Sequence, residues 1–391
     1  MTNPLIRPEG TSPVSRRNFL RLAGLSAAAL SGSGLLAACA GTAAPAAIAT
    51  ATTTSTSGAA PAATAAGSMS AGSATMAAAG TYGDIKVQLS WIKNIEFSGE
   101  YFADSKGYYK EAGFSSVTLV DGPTTTDSLV LAGKVDVGLS TPDATATLVS
   151  GQGATLKIIG STYQKNPFCI MSLADGKPIH TLADLKGKKI GVQDPNRPIL
   201  SGFLLANNIP ETDVEFVKVG FETTELEQGQ VDGHMSYLTN EPIVMKAKGK
   251  TPVTLGFADN GLALTAETFT VTEDTLANKR DMLKAFLWAE IKGWNDAIAD
   301  PVAGAKMAVE TYGKDKNLDL AEQTEEANAQ VQLIVTADTK KNGIFTASDA
   351  LLADITKALT AVGITDVTAA DLFDLSLLEE VYADYPELIV G

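Results

Sequence analysis

The chain has 391 residues, with 45 acidic and 30 basic side chains and a formal net charge of −15. So little basic surface argues against nucleic acid, anionic lipid and polyanionic ligands as partners. Two cysteines and two histidines exclude a disulfide framework, and His180 and His234 have neither helical spacing nor cysteines beside them, so no metal site is expected.

The first element is an export signal. Ser15-Arg16-Arg17-Asn18-Phe19-Leu20-Arg21 reads as a twin-arginine motif, followed by an apolar run at 22–30 that is too short to span a bilayer and by a lipobox, Leu36-Ala37-Ala38-Cys39. Residues 1–38 are therefore expected to be a lipoprotein signal peptide. Cys39 would carry the lipid that anchors the protein to the extracytoplasmic face of the cell membrane. Cleavage would remove Arg7, Arg16, Arg17, Arg21 and Glu9, leaving a net charge of −18. Residues 39–80 are almost wholly Ala, Thr, Ser, Gly and Pro, a tether that cannot bury a core and whose ~40 residues would reach roughly 35 Å.

From Ile85 the pattern alternates strand and helix. A strand at 85–89 runs into the loop Trp91-Ile92-Lys93-Asn94-Ile95-Glu96-Phe97-Ser98-Gly99, and a helix is predicted over 99–112. A strand at 116–120 and a helix at 126–132 follow. The turn Gly133-Lys134-Val135-Asp136-Val137-Gly138 leads to a strand ending at Ser140, with a new helix opening at Thr141-Pro142-Asp143. Such alternation predicts a mostly parallel, doubly wound sheet whose ligand edge lies at the strand ends.

Further strands are predicted at 156–161, 169–173 and 188–192, and a helix at 199–206 follows the turn Gln193-Asp194-Pro195-Asn196-Arg197-Pro198. Gly229-Gln230-Val231-Asp232-Gly233 then echoes the earlier Val-Asp turn about 100 residues on, which suggests two similar lobes. A strand at 268–272 crosses back, and amphipathic helices close the chain at 279–300, 301–312, 319–334, 347–361 and 372–382. The expected division is 81–166 with 267–391 as the first lobe and 167–266 as the second, joined by a hinge of two crossings.

A cleft between such lobes draws its candidates from both sides. Trp91, Asn94, Glu96, Phe97, Ser140 and Thr141 come from the first lobe. Asp194, Asn196, Arg197, Tyr237, Asn240 and Glu241 come from the second, with Tyr163 and Gln164 at the crossing. Two aromatics from opposite lobes can sandwich a planar ring, and amides and carboxylates can read its N–H and C=O edges. One stacking contact supplies about 0.5–1.5 kcal/mol beyond area burial, whereas micromolar affinity needs about 8, so a two-sided site is required.

The Trp91 loop, Gly107-Tyr108-Tyr109-Lys110-Glu111-Ala112-Gly113, the Val-Asp turns and Asp184-Leu185-Lys186-Gly187-Lys188-Lys189-Ile190-Gly191-Val192 resemble the solute-binding proteins related to the thiamine-pyrimidine synthase of fungi. The resemblance implies a type 2 periplasmic-binding-protein fold, two α/β doubly wound lobes, and delivery of a ligand to the permease subunits of an ABC importer. Members that bind the formylaminopyrimidine precursor of thiamine carry Trp-x-Pro-Asn-x-x-His-x-Gly. Here Lys93 replaces the proline and Phe97 the histidine, while Trp91, Asn94 and Gly99 remain. A phenyl ring in place of an imidazole enlarges the apolar surface, so the expected ligand is riboflavin, as in similar members, with the thiamine pyrimidine as the alternative.

An exported enzyme of the synthase type is the third reading. The synthase's cysteine-rich motif is missing, because Cys169 is the only cysteine after Cys39, and no Gly-x-Gly-x-x-Gly turn, P-loop or nucleophile elbow occurs. The expectation is therefore a monomeric binder with no catalytic residues and no cofactor, riboflavin being cargo.

Overall fold

The computed structural model describes residues 77–122 and 124–390. The twin-arginine motif, the lipobox with Cys39 and nearly all of the tether lie outside the described residues. No helix among the described residues is long and apolar enough to cross a membrane.

Among the described residues, ten strands form two sheets of five. β1 (Gly83–Gln88), β2 (Phe114–Val120), β3 (Val137–Ser140), β4 (Leu156–Tyr163) and β10 (Ala266–Thr272) make the first, in the order β2-β1-β3-β10-β4. β5 (Phe168–Leu173), β6 (Lys189–Val192), β7 (Glu215–Lys218), β8 (Gly233–Tyr237) and β9 (Pro252–Gly256) make the second, in the order β7-β6-β8-β5-β9. The two orders are one arrangement used twice. In each, three parallel strands adjoin an antiparallel strand that arrives from elsewhere in the chain, β10 beside β3 and β5 beside β8.

The echoed Val-Asp turns explain part of this symmetry. Asp136 accepts from the Lys86 backbone N–H through Oδ2 (2.9 Å), and its own N–H donates to the Lys86 carbonyl. Asp232 does the same with Lys189, its Oδ2 accepting from that N–H at 3.0 Å. Each aspartate thus fixes the incoming strand, β3 or β8, against its parallel neighbour, β1 or β6, and a carboxylate accepting a backbone N–H is a strong, directional contact. The motif is a register pin.

The chain passes between the sheets twice, from β4 to β5 and from β9 to β10. Where the passages run side by side, Asn166 donates from its backbone to the Leu264 carbonyl (2.8 Å) and from Nδ2 to the Leu262 carbonyl (2.7 Å). These bonds pair the two crossings into one hinge.

Behind the first sheet the helix Ser98–Ser105 lies against the helix Arg280–Ala299 at very short range. A Cβ on Gly99 would fall 2.1 Å from the Trp294 indole, and one on Gly293 would fall 2.1 Å from the Gly99 carbonyl. The helix predicted over 99–112 is two, Ser98–Ser105 and Tyr108–Glu111, because Gly107 takes a φ of 76° that ends the first. The C-terminal helices, expected with the first lobe, serve both: Asp349–Ala361 packs Ile355 and Leu359 into one core with Leu200 and Phe203 of the helix Arg197–Ala206. Strands β7 and β9 were not predicted. Both are edge strands of the second sheet, partly exposed and without clean alternation.

Candidate functional site

Between the two sheets lies a cavity of about 270 Å³. Its first wall is built from the strand ends of the first sheet: Ser90 and Trp91 after β1, Thr124 to Ser128, Ser140 and Thr141 after β3, and the first turns of the helix Pro142–Gln152. Its second wall comes from Phe168 on β5, Asn196 and Ile199 at the start of the helix Arg197–Ala206, and Ser236, Tyr237, Asn240 and Glu241 at the end of β8. Strand ends facing one another across a hinge are the usual ligand position for paired α/β sheets.

Of the residues singled out in the sequence, Trp91, Glu96, Ser140, Thr141, Asn196, Tyr237, Asn240 and Glu241 line this cavity. The others have different surroundings. Phe97 is 1 % exposed and packs in the core of the first lobe, because the short 3-10 turn Ile95–Phe97 rotates it away from the cavity. Asn94 caps that turn, accepting from the Glu96 N–H (3.1 Å). Tyr163 donates to Gln330 Oε1 (2.9 Å), and Gln164 donates to the Ser161 carbonyl (3.2 Å), so both brace the hinge. Asp194 pairs with Lys218, and the Arg197 guanidinium lies 4.8 Å from the centre of the Phe216 ring.

Glu267, on β10, was missed by the sequence reading and holds a special position. It is 2 % exposed, lines the cavity, and has a φ of +52°, a left-handed conformation that costs a glutamate about 1–3 kcal/mol. Its carboxylate is gripped from both sides: Ser90 Oγ donates to Oε2 (2.7 Å) and Tyr237 Oη to Oε1 (3.4 Å). One donor belongs to each wall. No local pattern marks it, since Ala-Glu-Thr-Phe-Thr reads as an ordinary half-buried strand.

Two more glutamates meet it. Glu96 is 3 % exposed and its Oε2 has no hydrogen-bond partner within the chain. Glu241 Oε2 accepts from the Tyr237 N–H (2.8 Å). Burial pushes the Glu96 carboxyl well above the usual carboxylate range, and repulsion from Glu267 and Glu241 adds to it; burial raises Glu241 and Glu267 to about 7 each. Asp127 and Asp143 also line the cavity, Asp127 raised by burial to about 6. Among the described residues that line it there is no Lys, Arg or His. Such walls offer acceptors to a ligand rich in N–H or O–H donors and oppose an anion. Tyr237 stands edge-on to Phe168 (4.6 Å between centroids), and Trp91 is half-buried on the opposite wall, so the apolar surfaces suit a flat ring. Among the described residues no three of His, Cys, Asp and Glu are placed to hold a metal ion.

Two five-stranded sheets in this order, hinged by two crossings around a cavity, define the fold of the periplasmic binding proteins, in its type 2 form. Solved structures agree on the fold. The chain superposes on the nitrate-binding protein NrtA from Synechocystis with a TM-score of 0.60 at 12% identity, covering 79% of this chain and 91% of that one. It superposes on the aliphatic sulphonate binding protein SsuA from Escherichia coli with a TM-score of 0.52 at 14% identity, covering 71% and 85%. Residues 94–304 match the family described as NMT1/THI5 like, and the chain belongs to that family. It is 28% identical over 231 residues to the riboflavin-binding protein RibY of Chloroflexus aurantiacus, a match that covers 56% of this chain and spans 64% of that relative's length.

Proposed function

We propose that this protein is the solute-binding component of an ABC importer and that its cargo is riboflavin. The observation that carries the reading is the cavity itself, with aromatic surface on both walls, three buried glutamates at its hinge and no basic side chain lining it. An isoalloxazine ring offers flat faces to Trp91 and to the Tyr237 side, and its ring N–H and ribityl hydroxyls are donors for Glu96, Glu241 and Glu267. The relative named as riboflavin-binding supports the same choice. With Phe97 in the core, the preference for a large ring rests on Trp91, Phe168 and Tyr237 instead.

The thiamine pyrimidine is the second reading. Its amino group is a donor that a carboxyl trio can accept, and the ring is small enough for 270 Å³.

The export signal, lipid anchoring through Cys39, extracytoplasmic location, membrane permease partners and monomeric state belong to this proposal. So does the absence of catalysis, which the relative named as riboflavin-binding supports. Mass spectrometry of small molecules released from protein purified from its host tests the reading. A chemically unchanged flavin is expected. A reaction product instead would favour the enzyme, and an unchanged pyrimidine would favour the second reading.

A further inference from the structure

We infer that Glu96, Glu241 and Glu267 form a charge filter that admits the free vitamin and rejects its phosphate ester. The inference rests on the proposed function, since it concerns which form of the cargo is taken. Three carboxyls reach the cavity from three separate elements: the turn after β1, the start of the helix Glu241–Ala247, and the crossing strand β10. Two of them are already engaged with backbone or side-chain donors, while Glu96, buried and lining the cavity with the amides of Asn94 and Asn240 near it, makes no close hydrogen bond through Oε2 and keeps that acceptor for a ligand.

The neighbours offer no counter-charge. Asp127 and Asp143 line the same cavity, Glu326 and Glu100 lie behind Glu96 and Glu267, and Tyr163 and Tyr237 are phenols that feel the same negative field. The nearby cations are directed elsewhere: Arg197 stacks on Phe216 and Lys218 pairs with Asp194. Above about pH 7, where Glu241 and Glu267 ionise, a phosphate brought into this cavity meets like charge in a poorly hydrated space, where repulsion at contact range is several times stronger than in water. A ligand N–H or O–H meets acceptors, and a ligand lacking one leaves a buried carboxyl unpaired.

The test is a parallel titration of the folded protein with riboflavin and with riboflavin 5′-phosphate at about pH 8.5, above the value of about 7 to which Glu241 and Glu267 are raised. The phosphate ester is expected to bind at least about 100-fold more weakly. Glu267→Gln should narrow the gap to about 10-fold or less, chiefly by admitting the ester. Equal affinity for the two forms overturns the filter and leaves the riboflavin reading intact. If neither flavin binds, the cargo is wrong, and the filter is decided without a ligand. A ligand-independent arm covers the remaining case. At about pH 8.5, Glu96→Gln and Glu267→Gln should each raise the melting temperature, because each relieves repulsion within an uncompensated trio. Lower melting temperatures for both would overturn the inference.

Discussion

Glu267 joins the two walls of the cavity, and it does so against two costs. A left-handed backbone and a buried carboxyl are both unfavourable, yet here they occur in one residue whose oxygens are held by Ser90 and Tyr237 from opposite walls. Strain at a cavity-lining hinge position is the kind of irregularity that binding sites retain. The same scale separates Trp91 from Phe97, six residues apart in one loop. Trp91→Ala should weaken riboflavin binding by about 10- to 100-fold while changing stability little, because the indole is half-buried on the cavity wall. Phe97→Ala should do the reverse, costing about 3–5 kcal/mol in denaturant unfolding through the hole it leaves in the core. Phe97→His tests the same assignment, since a buried imidazole would there lack a partner and destabilise the fold. Stability unchanged in both Phe97 variants would contradict its placement.

At the level of elements, the contact between the helices Ser98–Ser105 and Arg280–Ala299 depends on two glycines. Gly293→Ala would press a methyl group onto the Gly99 carbonyl, and the helices must separate, at a cost of about 1–3 kcal/mol in unfolding free energy. An unchanged unfolding midpoint would contradict the packing. This contact also shows why Gly99 can be recognised from the loop pattern but not explained by it: the reason is Trp294, almost two hundred residues away. The parallel strands and long helices were legible because apolar runs and Val-Asp turns are local signals, and the turns proved to be the pins that set β3 and β8. The edge strands β7 and β9 were not legible, since half-exposed edges carry little pattern. Eight of the fourteen candidate side chains line the cavity, all at strand ends or helix starts. The six that do not have different surroundings for different reasons: the turn Ile95–Phe97 sends Phe97 into the core, Tyr163 and Gln164 bond at the hinge, and Asp194 and Arg197 engage Lys218 and Phe216, none of which sequence spacing records. Glu267 was missed because its meaning comes from the crossing, not from its neighbours in the chain.

On the scale of the whole molecule, the buried acids whose carboxyls are raised gather, among the described residues, around the cavity and around Glu290. Beyond the cavity trio, Glu290 is raised by burial to about 8 and accepts from Tyr109 Oη, with Glu100 beside it, well above the usual range through burial and repulsion from Glu290. A carboxyl whose folded value exceeds its ordinary 4.5 binds its proton more tightly in the folded chain. The stability it contributes is therefore fully present below about pH 4.5 and is lost as pH rises through about 7 for Glu241 and Glu267 and about 8 for Glu290. Exposed Asp184 and Asp371, held low by hydrogen bonds from the Thr181 and Thr368 caps, act in the opposite sense, but only as pH falls below the ordinary carboxylate range. Thermal melting should accordingly show a falling midpoint from about pH 6 to about pH 9, and a rising one would contradict the burial of these acids in ionisable form. Two sheets of one topology are hinged by paired crossings around an acidic, aromatic cavity, and on the proposed function that cavity traps a flat, donor-rich solute. The most direct measurement is a titration of riboflavin with the purified protein, following flavin emission. Saturable quenching at micromolar protein, lost in Trp91→Ala, is the predicted result; emission that stays unquenched would contradict riboflavin as the cargo.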